Sequence, residues 1–426
     1  MQVWSKAARI SNAHGAEPRR VTRVATALAL LALACGDSDS PTALGGAGEV
    51  AQDGPLYALG VRVRNADSTT GYILTVPSID AGTTWSLDRA IEVGRDAWLS
   101  GTDGSPEVRV ASSQEPTITR WQAQADGSLV QDATLTFQNL GLARSREARG
   151  NTSLYLRDKA YFLSSDGQIV VWNPNDMTIL GTIPYAGVAG FTPEGLFTGD
   201  EEHVLVSLTF SEDNPVDSTI YRQDVRLIEI DPRTDQIVSE TEDPRCNRLY
   251  SMSRAPNGST YYSAPATDTP LRVMLGEGHG PKDCSLRIQP PQTGFDASFN
   301  VDLTQLVDGR PAGGLVMVTD DVAFLRVWHE ELAPPLAADK SNYQELVFAS
   351  AYQWWRWPLG SDRAELAPDQ MPTTGQWDPF AVDGRALLPV IASDFGSTEL
   401  VELLPEGGMR PLISGPGTLL GIVRVR

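Results

Sequence analysis

The densest run of side chains able to hold a ligand is Tyr352-Gln353-Trp354-Trp355-Arg356-Trp357, with Trp328 and Trp377 close by in sequence. Side chains alternate along an extended chain, so Trp354 and Arg356 share one face and Trp355 and Trp357 the other. A guanidinium stacked on indole suits a flat anionic ring, several of which a ferric catecholate offers. Trp354, Trp355, Trp357, Arg356 and Arg326 are therefore the candidate ligand contacts, provided Arg326 and Arg356 converge at one mouth of a channel. The competing reading, which carries more weight, is that these large aromatics fill the space between packed sheets.

No catalytic set stands out elsewhere. His14, His203, His279 and His329 are scattered, with neither His-x-x-x-His nor His-Glu-x-x-His spacing. A Gly-x-Ser-x-Gly elbow is lacking, which argues against serine hydrolysis. Glu212-Asp213-Asn214 with Asp217, and Asp320 with Asp321, could offer oxygens to Ca²⁺, but the glycine and terminal bidentate Glu of the regular calcium loop are missing, and solvated loops are the simpler reading. Gly276-Glu277-Gly278-His279-Gly280 follows no strand-to-helix pattern that would cradle phosphate. No catalytic residue, resident cofactor or metal site is expected.

The three cysteines divide into one and two. Arg19, Arg20 and Arg23 precede a mostly apolar run, Val24 to Ala34, that closes at Ala32-Leu33-Ala34-Cys35. A basic region, a short apolar core and small residues at the cut make a secretory leader over residues 1–34, and this core is too short to span a bilayer. Ala-Leu-Ala-Cys resembles a bacterial lipobox with Ala32 in place of the preferred Leu, so Cys35 is expected to carry lipid; an ordinary cut near Ala34 is the rival. Residues 35–54 are polar and Gly-rich, a flexible tether. Cys246 and Cys284 then remain as a pair in an oxidising compartment and are expected to form a disulfide, against the rivals of two buried thiols or half a metal site. Asp37 is not adjacent to Cys35, so inner-membrane retention is not signalled and the outer membrane is favoured.

Net charge narrows the partners. The leader holds Lys6, Arg9, Arg19, Arg20 and Arg23 against Glu17; without it the 34 basic and 54 acidic residues fall to 29 and 53, a balance of −24. Such a chain is a poor nucleic-acid binder, since that affinity rests on neutralising phosphates. Membrane attachment would come from acyl chains on Cys35, and stable anchoring takes more than one chain. A small molecule or an envelope protein is the expected partner.

From residue 55 to 426 almost nothing reads as helix; only Asn300 to Leu306 and Ser86 to Val93 could make a helical turn. Apolar residues alternate in short runs bounded by Gly, Pro, Asn and Asp, as in Leu56-Tyr57-Ala58-Leu59, Ala160-Tyr161-Phe162-Leu163, Ile169-Val170-Val171-Trp172 and Val322-Ala323-Phe324-Leu325. Val171-Trp172-Asn173-Pro174-Asn175-Asp176 matches Glu229-Ile230-Asp231-Pro232-Arg233-Thr234 and, more loosely, Ile288-Gln289-Pro290-Pro291-Gln292-Thr293. Such spacing, close to sixty residues, suits stacked sheets that cannot bury both faces alone. The expected fold is all-β: a single β-propeller of seven blades over residues 55–426, closed by pairing Leu419 to Val425 with strands near Leu56 to Val63. Two β-sandwich domains are the alternative, disfavoured because no Pro- or Gly-rich linker divides the body.

The chain resembles the envelope β-propeller lipoproteins encoded beside myxochelin siderophore genes in myxobacteria. The likeness rests on Leu56 to Leu59, Thr117-Ile118-Thr119-Arg120-Trp121 through Asp126-Gly127 to Phe137, Lys159 to Phe162, Ile169 to Pro174, Thr178 to Ile183, both later cysteines, Phe324-Leu325-Arg326-Val327 and Trp354 to Trp357. The resemblance implies an association with iron-chelate handling and carries no catalytic residues. The expected function is a non-catalytic, ligand- or partner-binding envelope module. The alternatives are a carboxylate- and metal-dependent propeller enzyme, lactonase-like or quinoprotein-like, and a scaffold for an envelope complex.

Overall fold

The computed structural model describes residues 54–212, 221–275, 280–339, 341–368, 370–376 and 378–426. The leader, Cys35 and nearly all of the tether lie outside them, as do Asp213, Asn214, Asp217, His279 and Trp377.

The body is a seven-bladed β-propeller of antiparallel sheets. Six blades run from the channel outward in chain order. Blade 2 holds Trp98–Ser100, Glu107–Ala111, Thr117–Ala123 and Leu129–Thr136, and blade 3 holds Ser153–Tyr155, Ala160–Leu163, Ile169–Asn173 and Thr178–Ile183. Blade 4 comprises Thr192–Gly199, Val204–Ser211, Val225–Asp231 and Gln236–Asp243; blade 5, Ser251–Arg254, Thr260–Ser263, Cys284–Ile288 and Asn300–Asp302. Blade 6 comprises Ala312–Met317, Val322–Trp328, Tyr352–Pro358 and Glu365–Leu366, and blade 7 Phe380–Val382, Arg385–Ile391, Ser397–Leu403 and Met409–Pro416.

Blade 1 mixes the two ends of the fold. Its innermost strand is the C-terminal Thr418–Arg424, followed outward by Tyr57–Arg64, Thr69–Val76 and Ile91–Glu92. Leu59 faces Ile422 and Gly60 faces Gly421 across the seam. A second fastening joins blade 1 to blade 7: Thr83–Thr84 adds in parallel to the outer strand of blade 7, and Trp85 Nε1 donates to Pro416 O at 3.1 Å. Any side chain at Gly415 would collide with that indole.

The alternation of side chains explains why inner strands read as unbroken apolar runs. One face of each blade meets the preceding blade and the other meets the next, so both must be greasy. Phe162 packs toward blade 2 and Tyr161 toward blade 4; Tyr262 packs toward blade 4 and Tyr261 toward blade 6. Seven apolar clusters result, one in each gap between neighbouring blades. Outermost strands lack a second partner and turn polar, as in the largely exposed Gln236–Asp243.

The repeated Asx-Pro phrase falls at the corner between third and fourth strands. Three residues beyond each proline, Met177 and Asp235 adopt φ 55°, turning the chain back. Each corner also receives a cation from the blade before it. Pro174 O accepts from Arg109 and Arg120 of blade 2 at 3.2 and 3.3 Å, and Pro232 O accepts from Lys159 Nζ of blade 3 at 2.7 Å.

Helix is confined to connections. Leu303–Leu306 forms a turn of helix whose Asp302 side chain accepts from Thr304 N. Ser86 to Val93 forms none, because Ile91–Glu92 is taken up as the outer strand of blade 1, opposite Tyr72 and Ile73. Two helices not foreseen, Thr269–Leu275 and Tyr343–Phe348, sit in the second-to-third strand connections of blades 5 and 6 and share a small core with Met274, Trp328, Leu346 and Tyr352.

Candidate functional site

The crossovers that lead from one blade to the innermost strand of the next gather at one end of the channel, together with the second-to-third strand turns. Residues just ahead of those inner strands, or at their start, form the mouth: Asp96 and Trp98 for blade 2, Arg149 for blade 3, Glu194 for blade 4, Arg248 and Tyr250 for blade 5, Asp378 for blade 7.

On one side of this mouth opens a cleft of about 170 Å³. It is bounded by the blade 2 to blade 3 crossover, the second-to-third turn of blade 3, the start of the innermost strand of blade 4, and Tyr250. Arg144, Arg146 and Arg149 line it, a concentration of positive charge in an otherwise acidic chain. Arg144 and Arg146 share the Glu147 carboxylate at 3.0 and 3.3 Å. Arg149 differs: its guanidinium lies 3.4 Å from the centre of the Trp98 ring, its Nε is buried without a partner, and no ion pair or hydrogen bond holds it among the described residues. Burial pushes this guanidinium down to about 10. A half-buried cation that Glu147 and Asp96 reach only at a distance, with no carboxylate bonded to it, makes the position receptive to an anion.

Asp378 stands on another side of the mouth. It keeps solvent access within the channel yet is surrounded by protein; desolvation pushes its carboxyl up, while Arg326 and Arg149 pull it back. Since the folded state holds this proton more firmly than the unfolded chain, stability is lost as pH rises from about 3.9, the ordinary Asp value, through the folded value. Asp378→Asn is therefore expected to be more stable than the parent at neutral pH, with the gap closing in strong acid. Melting temperatures of both proteins across pH check this; a gap independent of pH would assign the effect to something other than ionisation.

The third side is a buried charge cluster. Arg248 Nε contacts Asp268 Oδ2 at 2.6 Å, and its Nη1 pairs with Glu194 and reaches Thr209 Oγ1 at 3.3 Å. Its guanidinium lies 4.8 Å from the Tyr250 ring centre. Burial disfavours the charge, but Glu194 and Asp268 outweigh it and keep Arg248 firmly cationic. Tyr250 is itself pushed up to about 12 by burial and the nearby Glu194, so it remains a neutral phenol.

A disulfide between Cys246 and Cys284 ties this crossover to the base of the blade 5 connection. Asn247 reinforces the tie, accepting from Lys282 N at 2.8 Å and donating to Gly280 O at 3.4 Å. The bridge closes a 38-residue separation, worth about 3 to 4 kcal/mol by chain entropy. Cys246→Ala with Cys284→Ala is expected to lower stability by about that amount in denaturant titration; an unchanged midpoint would show that the loop is held by its other contacts alone.

The aromatic run singled out in the sequence is the third strand of blade 6, and its faces alternate as expected. Trp354 is fully buried toward blade 7, while Trp355 and Trp357 pack toward blade 5. Arg356 donates to Pro405 O in the outer corner of blade 7. Arg326 sits opposite Trp354 across the strand pair, 4.8 Å from that ring, and donates to Gly375 O at 2.7 Å. Arg326 and Arg356 thus point to different ends of the blade 6 to blade 7 gap and do not converge. Packing between blades demands these side chains here, and the stacked Arg-Trp pair that faces a cavity is Arg149 on Trp98.

Asp320 accepts from Asn257 N at 2.7 Å and Asp321 from Thr319 Oγ1 at 2.6 Å, both serving turns. Of the other acidic group only Glu212 lies within the described residues. His203 pairs with Glu229 at 2.8 Å and His329 with Glu331 at 3.0 Å. Among the described residues no three His, Cys, Asp or Glu side chains gather closely enough to hold a metal ion.

Arg149, Trp98, Arg248 and Tyr250 were not singled out in the sequence. The available signal was three arginines within six residues, Arg144 to Arg149, in a strongly acidic chain.

The fold defines the class as a β-propeller protein. No protein-family model and no curated protein matches the chain. Among solved structures it is similar to a hypothetical selenium-binding protein from Sulfolobus tokodaii, at 9% identity and TM-score 0.54, over 88% of this chain and 94% of that one. It is also similar to a periplasmic gluconolactonase from Pseudomonas aeruginosa, at 12% identity and TM-score 0.51, over 87% of this chain and all (100%) of that one. Likeness at such identity establishes the propeller architecture alone.

Proposed function

We propose that this chain is an exported bacterial lipoprotein, anchored through acyl chains on Cys35 with the outer membrane favoured, whose propeller is a non-catalytic binding module linked to siderophore and iron handling. The observation that carries the binding role is the Arg149 guanidinium, stacked on Trp98 at 3.4 Å and facing a cleft in which no carboxylate is paired with it. A structural arginine is normally spent on a carboxylate or carbonyl, as Arg248 and Arg326 are here. The Cys246–Cys284 disulfide supports an oxidising compartment, and hence export. The link to iron chelates rests on the family resemblance.

Two experiments test this reading. Mass spectrometry of the protein from membranes should find Cys35 at the N-terminus and acylated; an unmodified Cys35 removes the anchor. Ferric and iron-free catecholates, titrated into the full chain carrying Cys35→Ser, should change tryptophan emission. Silence at millimolar ligand would eliminate the siderophore link. A metal-dependent lactonase-like or quinoprotein-like reaction would instead appear as a stoichiometric ion lost together with an activity.

A further inference from the structure

We propose that the cleft beside Arg149 is a receptor for a single-ring aromatic carboxylate, a planar anion of the size of one ring of a metal chelate. The inference rests on the binding role proposed above and deepens it by naming what the site admits.

Size sets the first limit. The cleft measures about 170 Å³, comparable to the roughly 150 Å³ apolar cavity that takes up one benzene molecule. A chelate with three catechol rings around a metal could enter such a space by one ring only, whereas one ring bearing a carboxylate fits whole. Charge sets the second limit. Arg149 has no hydrogen-bond or ion-pair partner among the described residues, and a guanidinium offers paired N–H donors in the geometry of a carboxylate. Arg144 and Arg146 at the rim add positive potential, only part of which Glu147 neutralises.

The walls set the third. Trp98 lies against the guanidinium, and Leu163, Pro193 and Tyr250 line the cleft beside the polar Ser165 and Thr192. An aliphatic carboxylate would satisfy Arg149 but leave that surface wet, and inorganic phosphate would do the same. A neutral ring would fill the space and leave the guanidinium buried without an anion. Only a ligand with both a flat apolar body and a carboxylate meets both requirements. Glu194, held by Arg248 at the opposite wall, disfavours a second negative charge at the far end of the ring.

The test is calorimetric titration of the full chain carrying Cys35→Ser with benzoate, benzamide, acetate and inorganic phosphate. Benzoate should bind, with benzamide and acetate each at least about tenfold weaker, the worth of one lost charge-assisted contact or one unfilled ring site. Arg149→Gln should weaken benzoate by about ten- to a hundredfold, and Arg149→Lys, which keeps the charge but loses the fork, should recover only part of it. Because a variant can fail by unfolding, Arg144→Gln at the rim serves as the second variant; it should weaken benzoate several-fold and flatten its dependence on salt. Equal affinity for benzoate and benzamide, or phosphate binding as tightly as benzoate, would overturn the proposal. If benzoate is silent while a ferric catecholate still alters tryptophan emission, the binding role stands and the single-ring inference falls; if both are silent, the binding role falls as well.

Discussion

Removal of residues 418–426 is expected to abolish the folded state rather than weaken it. Those residues are the innermost strand of blade 1, and they bury Leu419, Leu420, Ile422, Val423 and Val425. Each large core truncation costs about 2 to 5 kcal/mol, so losing five costs about 10 to 25 kcal/mol, enough to match or exceed the roughly 5 to 15 kcal/mol that holds an ordinary domain together. The backbone ladder to Tyr57–Arg64 goes with them, leaving an open edge next to the channel. The truncated chain should lack a cooperative thermal transition and accumulate as aggregate. A chain that melts cooperatively within a few degrees of the parent would mean that the ring does not depend on this seam. Trp85, with its parallel strand onto blade 7, is the natural place to look for the compensation in that case.

Arg248→Met carries the second large effect. The substitution leaves the buried Asp268 and the partly exposed Glu194 without their shared cation, and breaking a buried pair by removing one partner costs about 3 to 5 kcal/mol. Arg248→Lys, which keeps the charge, should recover part of that loss. Denaturant midpoints of the parent and both variants provide the check. A Lys variant as unstable as the Met variant would mean that lost packing against Tyr250 and Tyr221, rather than uncompensated charge, accounts for the deficit.

The contrast between what the sequence discloses and what it hides follows from the physics of the fold. Strands such as Ala160–Leu163 and Val322–Trp328 are legible because two neighbouring blades require apolar residues on both faces. The corners at Asn173-Pro174 and Asp231-Pro232 are legible because an Asx-Pro pair recurs after an apolar run, whereas the left-handed residues beyond them, Met177 and Asp235, carry no such mark. Ring closure is legible because the terminal apolar run has nowhere else to hide. The mouth is different. Trp98, Arg149 and the pair Arg248 and Tyr250 are widely spaced in the chain and meet only because they precede or open the inner strands of three different blades. No local period marks such a convergence. Trp354 to Trp357, by contrast, are conspicuous because they are contiguous, and contiguity on one strand places Trp354 in one interblade gap and Trp357 in the next.

The two unforeseen helices have the same origin. Thr269–Leu275 and Tyr343–Phe348 are too short to show a helical period by themselves. They are stabilised by each other through Met274 and Leu346, and that contact exists only once blades 5 and 6 are side by side.

The central claim is that the mouth beside Arg149, and not the aromatic strand of blade 6, is where a small anion binds. A crystal of the full chain carrying Cys35→Ser, grown with 4-bromobenzoate and measured at the bromine absorption edge, tests it most directly. The account predicts one anomalous peak in the cleft between Arg149 and Tyr250, with the carboxylate against the guanidinium. A peak beside Trp355 and Arg356, or an empty cleft in a crystal that holds the ligand elsewhere, would contradict it.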